Sequence, residues 1–183
     1  MRISVFGRGH VGGGLADLWE RAGHQVTRLG RDGGDVSDAD AVLLAVPHAA
    51  IAGALDRVQQ IKGKTVIDAT NRMGADPPAG FRSNAEFVKS KTNGPTAKSF
   101  NINFAALYNR LRETRAMPSN LWCGDDEARE IVQRLSRDAG FEAVYAGPLT
   151  NAAAQESLLG IVFAISQGGM GPFVYRMAPP DKL

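Results

Sequence analysis

A glycine-rich stretch near the start of the chain carries the strongest chemical signal in the sequence. It follows an apolar run at residues 3–6 and reads Gly-Arg-Gly-His-Val-Gly, the pattern G-x-G-x-x-G. In this pattern the first glycine permits a tight turn, the second lets the backbone approach a pyrophosphate, and the third lets the helix pack on the strand. The stretch predicts a dinucleotide-binding turn; the alternative is a glycine turn without a ligand. Its residues are Gly7, Arg8, Gly9, His10, Val11 and Gly12.

The end of the second predicted strand indicates which nicotinamide cofactor fits. NAD sites usually place an acid there for the ribose 2′-hydroxyl, but this chain has Gly30 and Arg31 after Leu29. The Arg31 guanidinium can bind a 2′-phosphate through two parallel hydrogen bonds, helped by Arg28 if both point to the same side. We therefore expect NADP. The alternatives are that Asp32 turns inward to hold the ribose of NAD, or that Arg31 is a solvated loop charge.

One of the three histidines lies where ligands collect in a parallel sheet. His48 follows Val46 and Pro47 at the end of the third apolar run, and ligands of such sheets bind beyond the carboxyl ends of the strands. His48 is therefore a candidate for contact with cofactor or substrate. His10 would face a phosphate or solvent, and His24, at a helix end, is interpreted as structural.

The other polar residues favour hydride transfer over nucleophilic or metal chemistry. Hydride transfer between two rings needs close positioning and exclusion of water, but no nucleophile and no metal. Asp68 ends a predicted strand and is interpreted as structural, whereas the amide of Asn71 just beyond it can position a ring or a ribose. The single cysteine, Cys123, excludes multi-cysteine metal sites and is interpreted as a small core residue. No triad is apparent, and no metal is expected.

Apolar runs and helical patterns alternate along the chain and predict the fold class. Strands are predicted at 3–6, 25–29, 41–46, 64–69, 98–101, 120–123 and 142–146, and helices at 11–22, 51–58, 83–90, 126–139 and 151–166. This order predicts an α/β fold with a doubly wound, mostly parallel, Rossmann-like sheet. Only nine residues, 32–40, separate Arg31 from the third run. A crossover usually needs about a dozen, so the sheet is predicted to be trimmed there.

The last part of the chain is predicted to form a small helical lobe. We divide the chain into a dinucleotide-binding domain, 1–148, and a C-terminal lobe, 149–183, that closes the cleft. Residues 158–165 are apolar nearly all round, so they form either core or a dimer face, and a homodimer is expected. Residues 172–183 form either an ordered closing strand or a frayed tail.

Composition and charge exclude several classes of protein. The formal net charge is only +2 over 183 residues, which gives no broad electrostatic footprint for nucleic acid or an anionic membrane. No apolar run approaches the roughly 18 residues of a membrane span, and we do not expect the first residues to form a signal peptide. We expect a cytoplasmic protein with no nucleic-acid partner.

Motifs that follow one another nearly end to end give the chain a family resemblance. Beyond the glycine turn and Gly30-Arg31, they are Ala45-Val46-Pro47, Val66-Ile67-Asp68-Ala69-Thr70-Asn71, Lys98-Ser99-Phe100-Asn101, Cys123-Gly124-Asp125-Asp126, Ala146-Gly147-Pro148-Leu149-Thr150-Asn151, Glu156-Ser157-Leu158 and Gly169-Met170-Gly171. Taken in this order, the chain resembles the deazaflavin (coenzyme F-420)-dependent NADP oxidoreductases.

The resemblance implies roles for these segments. The glycine turn would hold the pyrophosphate and Arg31 the 2′-phosphate, while Ala45, Val46 and Pro47 would line the path to the nicotinamide. The resemblance also implies that Asn101 and its neighbours Ile102 and Asn103 lie near the two stacked rings. The second cofactor, a deazaflavin or flavin, would be bordered by Thr150 and Met170; packing at a hinge is the alternative for Met170.

The chain also departs from the family pattern. The serine usual before the phosphate-binding arginine is replaced by Gly30, and the shortened segment after Arg31 removes a further basic contact. The family's asparagine-proline pair is Asn71-Arg72 here, and Asn101 stands where relatives carry a histidine. Nucleotide binding is still expected with these changes, but they do not specify the second substrate.

Three functions are compatible with these patterns. The first is an NADP-dependent oxidoreductase that passes a hydride between nicotinamide and a deazaflavin or flavin. The second, a dehydrogenase of hydroxy acids or imines, usually needs a long helical domain with a catalytic Lys or His, and only 35 residues follow Pro148. The third is a non-catalytic NADP-binding redox sensor or partner subunit. We expect the first.

Overall fold

A seven-stranded sheet organises the computed structural model, which describes residues 1–182. Its strand order is β2-β1-β4-β6-β7-β8-β9, and β3 pairs with β5 as a separate two-stranded ribbon. All neighbours in the large sheet run parallel except β7 and β8. The strands are β1 (Arg2–Phe6), β2 (Gln25–Leu29), β3 (Gly34–Asp35), β4 (Ala41–Leu44), β5 (Val58–Gln59), β6 (Thr65–Asp68), β7 (Thr96–Ser99), β8 (Ser119–Gly124) and β9 (Glu142–Tyr145).

Helices cover both faces of the sheet. They are α1 (His10–Arg21), α2 (Ile51–Asp56), α3 (Asn84–Thr92), α4 (Arg129–Asp138) and α5 (Ala152–Ile165), with a 3₁₀ segment at Ala105–Glu113. The central strand β4 is buried on both sides, so its residues are all apolar. Ala41 and Leu43 pack with α1 and α4, whereas Val42 and Leu44 pack with α2 and α3. The predicted Rossmann-like α/β fold is confirmed.

The predicted trimming between the second and third apolar runs is also present. The chain passes from β2 to β4 through a bridge between Gly30 and Gly33 and the two-residue strand β3. No helix occurs in this connection. As a result, β2 is an edge strand of the sheet. The helix and further strand of a full crossover, which would lie beside the end of β2, are missing between β2 and β4.

Two predicted strands end earlier than the apolar pattern indicates. The run 98–101 is β7, Thr96–Ser99, because Phe100 adopts a left-handed conformation with φ 60°. A bulky residue rarely adopts this conformation. It is stabilised here by complete burial of the ring and by the Asn120 side chain, which accepts from the Phe100 amide at 3.1 Å. The run 41–46 likewise ends at Leu44.

The chain after α5 folds back on the sheet. A π-helical turn at Ser166–Met170 follows α5 and contains a glycine with φ 114°. The Ser119 amide then donates to the Tyr175 carbonyl at 2.8 Å, and the Met177 amide donates to the Ser119 hydroxyl at 2.9 Å. The tail is therefore held against the start of β8, although residues 172–179 form no strand. Leu183, the last residue of the predicted lobe, lies outside the described residues.

Candidate functional site

The glycine turn locks β1 against the end of β4. Gly7 has φ 116°, and a Cβ added there would lie 2.1 Å from the Ala45 carbonyl oxygen. A Cβ at Gly12 would lie 2.0 Å from the Gly7 carbonyl oxygen. Both positions therefore require glycine, for the tight turn and for close packing of α1, as the sequence pattern predicts.

Gly9 is different, because no protein atom occupies the space beside it. A Cβ added there meets nothing within 4 Å, although Gly9 begins α1 with an ordinary φ of −74°. No side chain caps α1, and no acid lies in its first turn. By contrast, the Ser83 hydroxyl caps α3 at 3.1 Å from the Glu86 amide. The N-terminal amides of α1 are thus left for another acceptor, and their positive dipole end favours an anion.

The turn lies at the point where the strand order reverses. From β1 the chain goes to β2 on one side and afterwards to β4 on the other, and ligands of open parallel sheets bind outside such a switch point. Ala45, Val46 and Pro47 follow β4 at this edge and are partly or fully exposed. The structure therefore brings the predicted turn and this segment together. The exposed His10 at the start of α1 and the half-buried Val11 adjoin them.

Arg28 and Arg31 do not act as a pair at the end of β2. The Arg28 guanidinium lies 2.6 Å from both Asp17 and Glu20 on α1, and hydrogen bonds to Glu20 and Asp17 raise the pKa of Arg28. Arg28 is thus committed to the outer surface of α1, which corrects the expectation that it helps Arg31. Arg31 and Asp32 are exposed and belong to no ion pair within residues 1–182.

A buried ion cluster underlies the carboxyl edge of β6 and β7. Lys98, fully buried in β7, has its Nζ 2.8 Å from Asp68 Oδ2 and 2.9 Å from Glu156 Oε1. Glu156 Oε2 accepts a hydrogen bond from Arg72 Nε at 2.7 Å. Glu156 Oε1 also accepts one from the backbone N–H of Asn84, at the start of α3. Two cations and two anions are matched, as buried charges require. The cluster joins β6, β7, α3 and α5.

Asp68 and His48 are both attached to this cluster. Asp68 Oδ1 accepts from the Thr70 amide at 2.9 Å, so Asp68 holds the turn after β6 in addition to pairing with Lys98. His48 Nδ1 lies 2.9 Å from Asn84 Oδ1, and Asn84 Nδ2 donates a hydrogen bond to Thr70 Oγ1 at 2.8 Å. This contact fixes the imidazole beside the end of β4, while Nε2 has no partner among the described residues.

Asn71 and Asn101 bind each other. Asn71 Nδ2 donates to the Asn101 carbonyl at 2.7 Å, and Asn101 Nδ2 donates to Asn71 Oδ1 at 3.0 Å. Gln155 Nε2 of α5 donates to Asn101 Oδ1 at 2.8 Å. The Asn101 side chain is 4% exposed and has its amide oxygen and nitrogen engaged. It shapes the edge of the site but has little capacity left to bind a ring.

The remaining predicted residues do not all meet at this edge. Asn103 donates to the Ser119 carbonyl at 3.0 Å and so lies against the start of β8, beside the tail. Thr150 precedes α5 and Met170 follows it, with the 14 residues of the helix between them. At 1.5 Å per residue these ends are roughly 20 Å apart. Thr150 and Met170 therefore do not border one common pocket in this structure.

A cavity of about 430 Å³ opens between the loop after β6 and the outer side of α5. Arg72 and Glu156 lie at its base, with Met73, Leu159 and Phe163 among its apolar walls. The size and the mixture of an ion pair with apolar walls suit a small ligand. A second cavity, about 510 Å³, lies on the other face between α1 and α4, away from this edge.

Cys123 offers no reactive thiol. Burial raises the pKa of Cys123 to about 12; next in size, the charge of Lys98 lowers it, and Glu156 and Asp68 raise it by smaller amounts. The thiol is therefore protonated at neutral pH. Within residues 1–182, no group of three or more His, Cys, Asp or Glu side chains is arranged to hold a metal ion.

The sequence patterns predict neither the buried ion cluster nor the contact of Gln155 with Asn101. A signal existed, because Lys98 lies within a strand buried on both faces and Glu156 lies within a largely apolar helix. A charge at a buried position needs an opposite charge nearby. Which partners meet depends on the register of β6 and β7 and on the docking of α5, which local patterns do not specify.

Comparisons with known proteins place the fold. No family model matches the chain, and no curated protein matches it. It is similar to the crystal structure of a proposed F420-dependent NADP reductase from Arthrobacter sp. FB24, with a TM-score of 0.78 and 22% identity over 98% of this chain and 100% of that one. A hypothetical protein from Sinorhizobium meliloti matches with a TM-score of 0.65 and 23% identity, over 84% and 88% of the two chains.

A reductive aminase from Aspergillus terreus, solved with NADPH and ethyl levulinate, also matches. Its TM-score is 0.67 at 15% identity, and the match covers 91% of this chain but 62% of the longer aminase. No helix within residues 1–182 is both long and apolar enough to cross a membrane. At these identities the shared property is the fold, so the chain has the Rossmann-like architecture that these proteins use.

Proposed function

We propose that this chain is an NADP(H)-dependent oxidoreductase. The observation that carries the proposal is the open space beside Gly9 at an uncapped helix N-terminus, in a chain that also has the exposed Arg31 just after β2. Free amides at a helix start accept a pyrophosphate, and a guanidinium suits the 2′-phosphate that distinguishes NADP from NAD. The likeness to a proposed F420-dependent NADP reductase and to an aminase solved with NADPH supports the same choice.

The residues present fit this dinucleotide. In the proposal Gly7 to Gly12 hold the pyrophosphate and Gly30 with Arg31 hold the adenosine 2′-phosphate. Ala45, Val46 and Pro47 line the way to the nicotinamide beyond β4, which His48 and Asn71 border from neighbouring strand ends. When bound, the nicotinamide supplies the carbon that gives or accepts a hydride.

We propose a second ring cofactor, a deazaflavin or flavin, as the hydride partner. The cavity between Arg72 and Phe163 offers apolar walls for a ring and an arginine for a polar group. In this arrangement the chain supplies positioning and exclusion of water rather than a proton-transfer group. Because Asn101 is engaged internally, it orients the ends of β6 and β7 instead of the ring itself.

The C-terminal lobe would close the cleft and pair two copies of the chain. Ile161 and Ile165 of α5 are 59% and 42% exposed, and Met170 beyond them is 66% exposed. Such apolar side chains in one region favour association. Sedimentation of the wild type and of Ile161→Asp tests the homodimer, with a monomeric wild type contradicting it.

A second candidate function is a non-catalytic NADP-binding sensor. One observation favours it: the amide of Asn101, at the position nearest the expected rings, is used within the protein. Titration with NADPH and NADH, followed by mixing of the NADPH complex with oxidised deazaflavin, FMN or FAD under nitrogen, separates the two. Reduction of one ring cofactor supports the oxidoreductase. Tight NADPH binding without reduction supports the sensor, and no nucleotide binding contradicts both.

A further inference from the structure

The side chain of Arg8 folds over the end of β2 and covers Gly30. Arg8 Nη2 donates to the Arg28 carbonyl at 2.9 Å. A Cβ added at Gly30 would lie 3.4 Å from the Arg8 Cζ and 3.5 Å from Nη2. The guanidinium of the second residue of the glycine turn is thus seated at the strand end where the ribose of a dinucleotide is expected.

The charge of Arg8 has no counter-ion within residues 1–182. Among residues 1–182, neither Arg8 nor Arg31 belongs to an ion pair, whereas the neighbouring Arg28 is bound by two carboxylates. A single hydrogen bond to a carbonyl leaves most of the five N–H donors of a guanidinium unused. Two unpaired arginines at one strand end form a place where an anion with several oxygens would be stabilised.

The glycine at position 30 adds no side chain beside the Arg8 guanidinium. A Cβ at position 30 would be in van der Waals contact with the Arg8 Cζ at 3.4 Å, and a longer side chain would extend toward the guanidinium. Gly30 is not in a left-handed conformation, so backbone conformation does not explain the glycine. A glycine leaves open the space beside the Arg8 guanidinium that a longer side chain would share.

We propose that Arg8 binds the 2′-phosphate together with Arg31 and so sets the preference for NADP over NAD. This inference rests on the proposed function, because it needs a nucleotide in the glycine turn. It gives the Arg8 side chain a role distinct from that of the turn's backbone. The backbone N–H groups of the turn bind the pyrophosphate, and the Arg8 guanidinium binds the phosphate at the 2′ position of the ribose.

Nucleotide fragments test the inference without any turnover. Adenosine 2′,5′-bisphosphate and 5′-AMP differ only in the 2′-phosphate, so the ratio of their dissociation constants isolates that group. We expect Arg8→Ala to weaken binding of the bisphosphate by about tenfold to a hundredfold and to change 5′-AMP binding by less than about twofold. Arg8→Lys, which keeps the charge without the planar fork, should fall between wild type and Arg8→Ala.

The matched control is Arg134→Ala, an exposed arginine on α4. It removes the same charge and should leave the ratio unchanged. NADPH and NADH measured on the same variants should reproduce the pattern seen with the fragments.

A second pair of variants tests the packing of Arg8 on Gly30. Gly30→Ser should displace the guanidinium and lower the preference for the bisphosphate. In an Arg8→Ala background the same serine should lower it no further, since the side chain with which it competes is gone. Equal effects of Gly30→Ser in both backgrounds would show that position 30 acts independently of Arg8.

The outcomes separate this inference from the proposed function. If the wild type binds neither NADPH nor NADH, the proposed function is wrong. If NADPH binds and Arg31→Ala reduces the preference but Arg8→Ala does not, the inference about Arg8 alone is overturned. Equal weakening of both fragments by Arg8→Ala also overturns it, because the side chain would then serve the 5′-phosphate or the turn.

Discussion

The ammonium of Lys98 in β7 lies 2.9 Å from the carboxylate of Glu156 in α5, with both side chains fully buried. This contact joins the sheet to the helix of the C-terminal lobe. Asp68 on the other side of Lys98 and Arg72 on the other side of Glu156 complete a line of alternating charges. Lys98 is therefore one of the buried contacts that hold α5 against the strand ends, together with the Arg72–Glu156 pair.

Removal of that lysine should destabilise the whole fold. Lys98→Met would leave Asp68 and Glu156 buried with less compensation, and loss of one partner from a buried ion pair costs about 3–5 kcal/mol. Urea unfolding should show a correspondingly lower free energy of unfolding. Lys62→Met, at an exposed position, is the control and should change it by less than about 0.5 kcal/mol. A change of similar size in the two variants would mean that the cluster contributes little.

A side chain at Gly9 should block nucleotide binding while the fold persists. Gly9→Val adds atoms where the protein has none within 4 Å, in the space expected for the pyrophosphate, so NADPH affinity should fall at least about a hundredfold. Replacement of a helix N-cap glycine by a branched residue costs only about 1 kcal/mol, so the melting temperature should fall by a few degrees. Retained NADPH affinity in a folded Gly9→Val protein would contradict the assignment of the turn.

Arg28 should matter little for stability or for cofactor choice. Its side chain is 32% exposed and its partners Asp17 and Glu20 are 54% and 44% exposed, and such surface pairs contribute about 0.2–1 kcal/mol. Because the guanidinium is turned toward α1, Arg28→Ala should leave the ratio of NADPH to NADH affinity unchanged. Isothermal titration with both nucleotides checks this. A loss of preference equal to that of Arg31→Ala would show that Arg28 reaches the ribose.

Stability should decline at alkaline pH because of Cys123. Burial raises the pKa of its thiol from 9.0 to about 12, so above pH 9 the unfolded chain binds fewer protons than the folded one. The free energy of unfolding should therefore fall with a slope approaching about 1.4 kcal/mol per pH unit, while below pH 9 this contribution is constant. Tyr175, whose pKa burial raises to about 12, adds the same sign of slope above its usual pKa of 10.0.

Urea unfolding of the wild type and Cys123→Ala between pH 7 and about pH 10 isolates the thiol. The variant should show a flatter dependence between pH 9 and pH 10, whatever its stability at neutral pH. Parallel curves for the two proteins would show that Cys123 is not the source of the slope.

The sheet and its trimmed crossover could be predicted because both depend on local properties. A strand buried on both faces must be apolar throughout, as Ala41–Leu44 is, and the nine residues between Arg31 and the third run limit what can lie there. The glycine turn was likewise predictable, since the close approach of Gly7 to Ala45 excludes any side chain.

The surroundings of the site depend on contacts distant in sequence, which local patterns do not specify. From the sequence, the Asn101 side chain is expected to contact a cofactor ring. In the structure, the left-handed conformation of Phe100 turns the chain so that Asn101 pairs with Asn71 and Gln155 instead. Arg28 and Arg31 look equivalent in sequence, but Arg28 lies within β2 and pairs with the acids of α1, whereas Arg31 lies in the turn after β2. Asn103 and Thr150 were assigned by resemblance, and their positions here follow from the course of α5 and the tail.

The interlock of Gly7 with Ala45 also has a consequence for how the protein acquires its activity. The glycine turn is completed by a backbone segment more than thirty residues further along the chain, so it cannot close before β4 has docked beside β1. A folding intermediate with β1, α1 and β2 alone would have the glycine motif but not the finished cradle. Nucleotide binding during refolding should then appear only with the last, long-range step, and the ligand should slow unfolding without accelerating the early collapse.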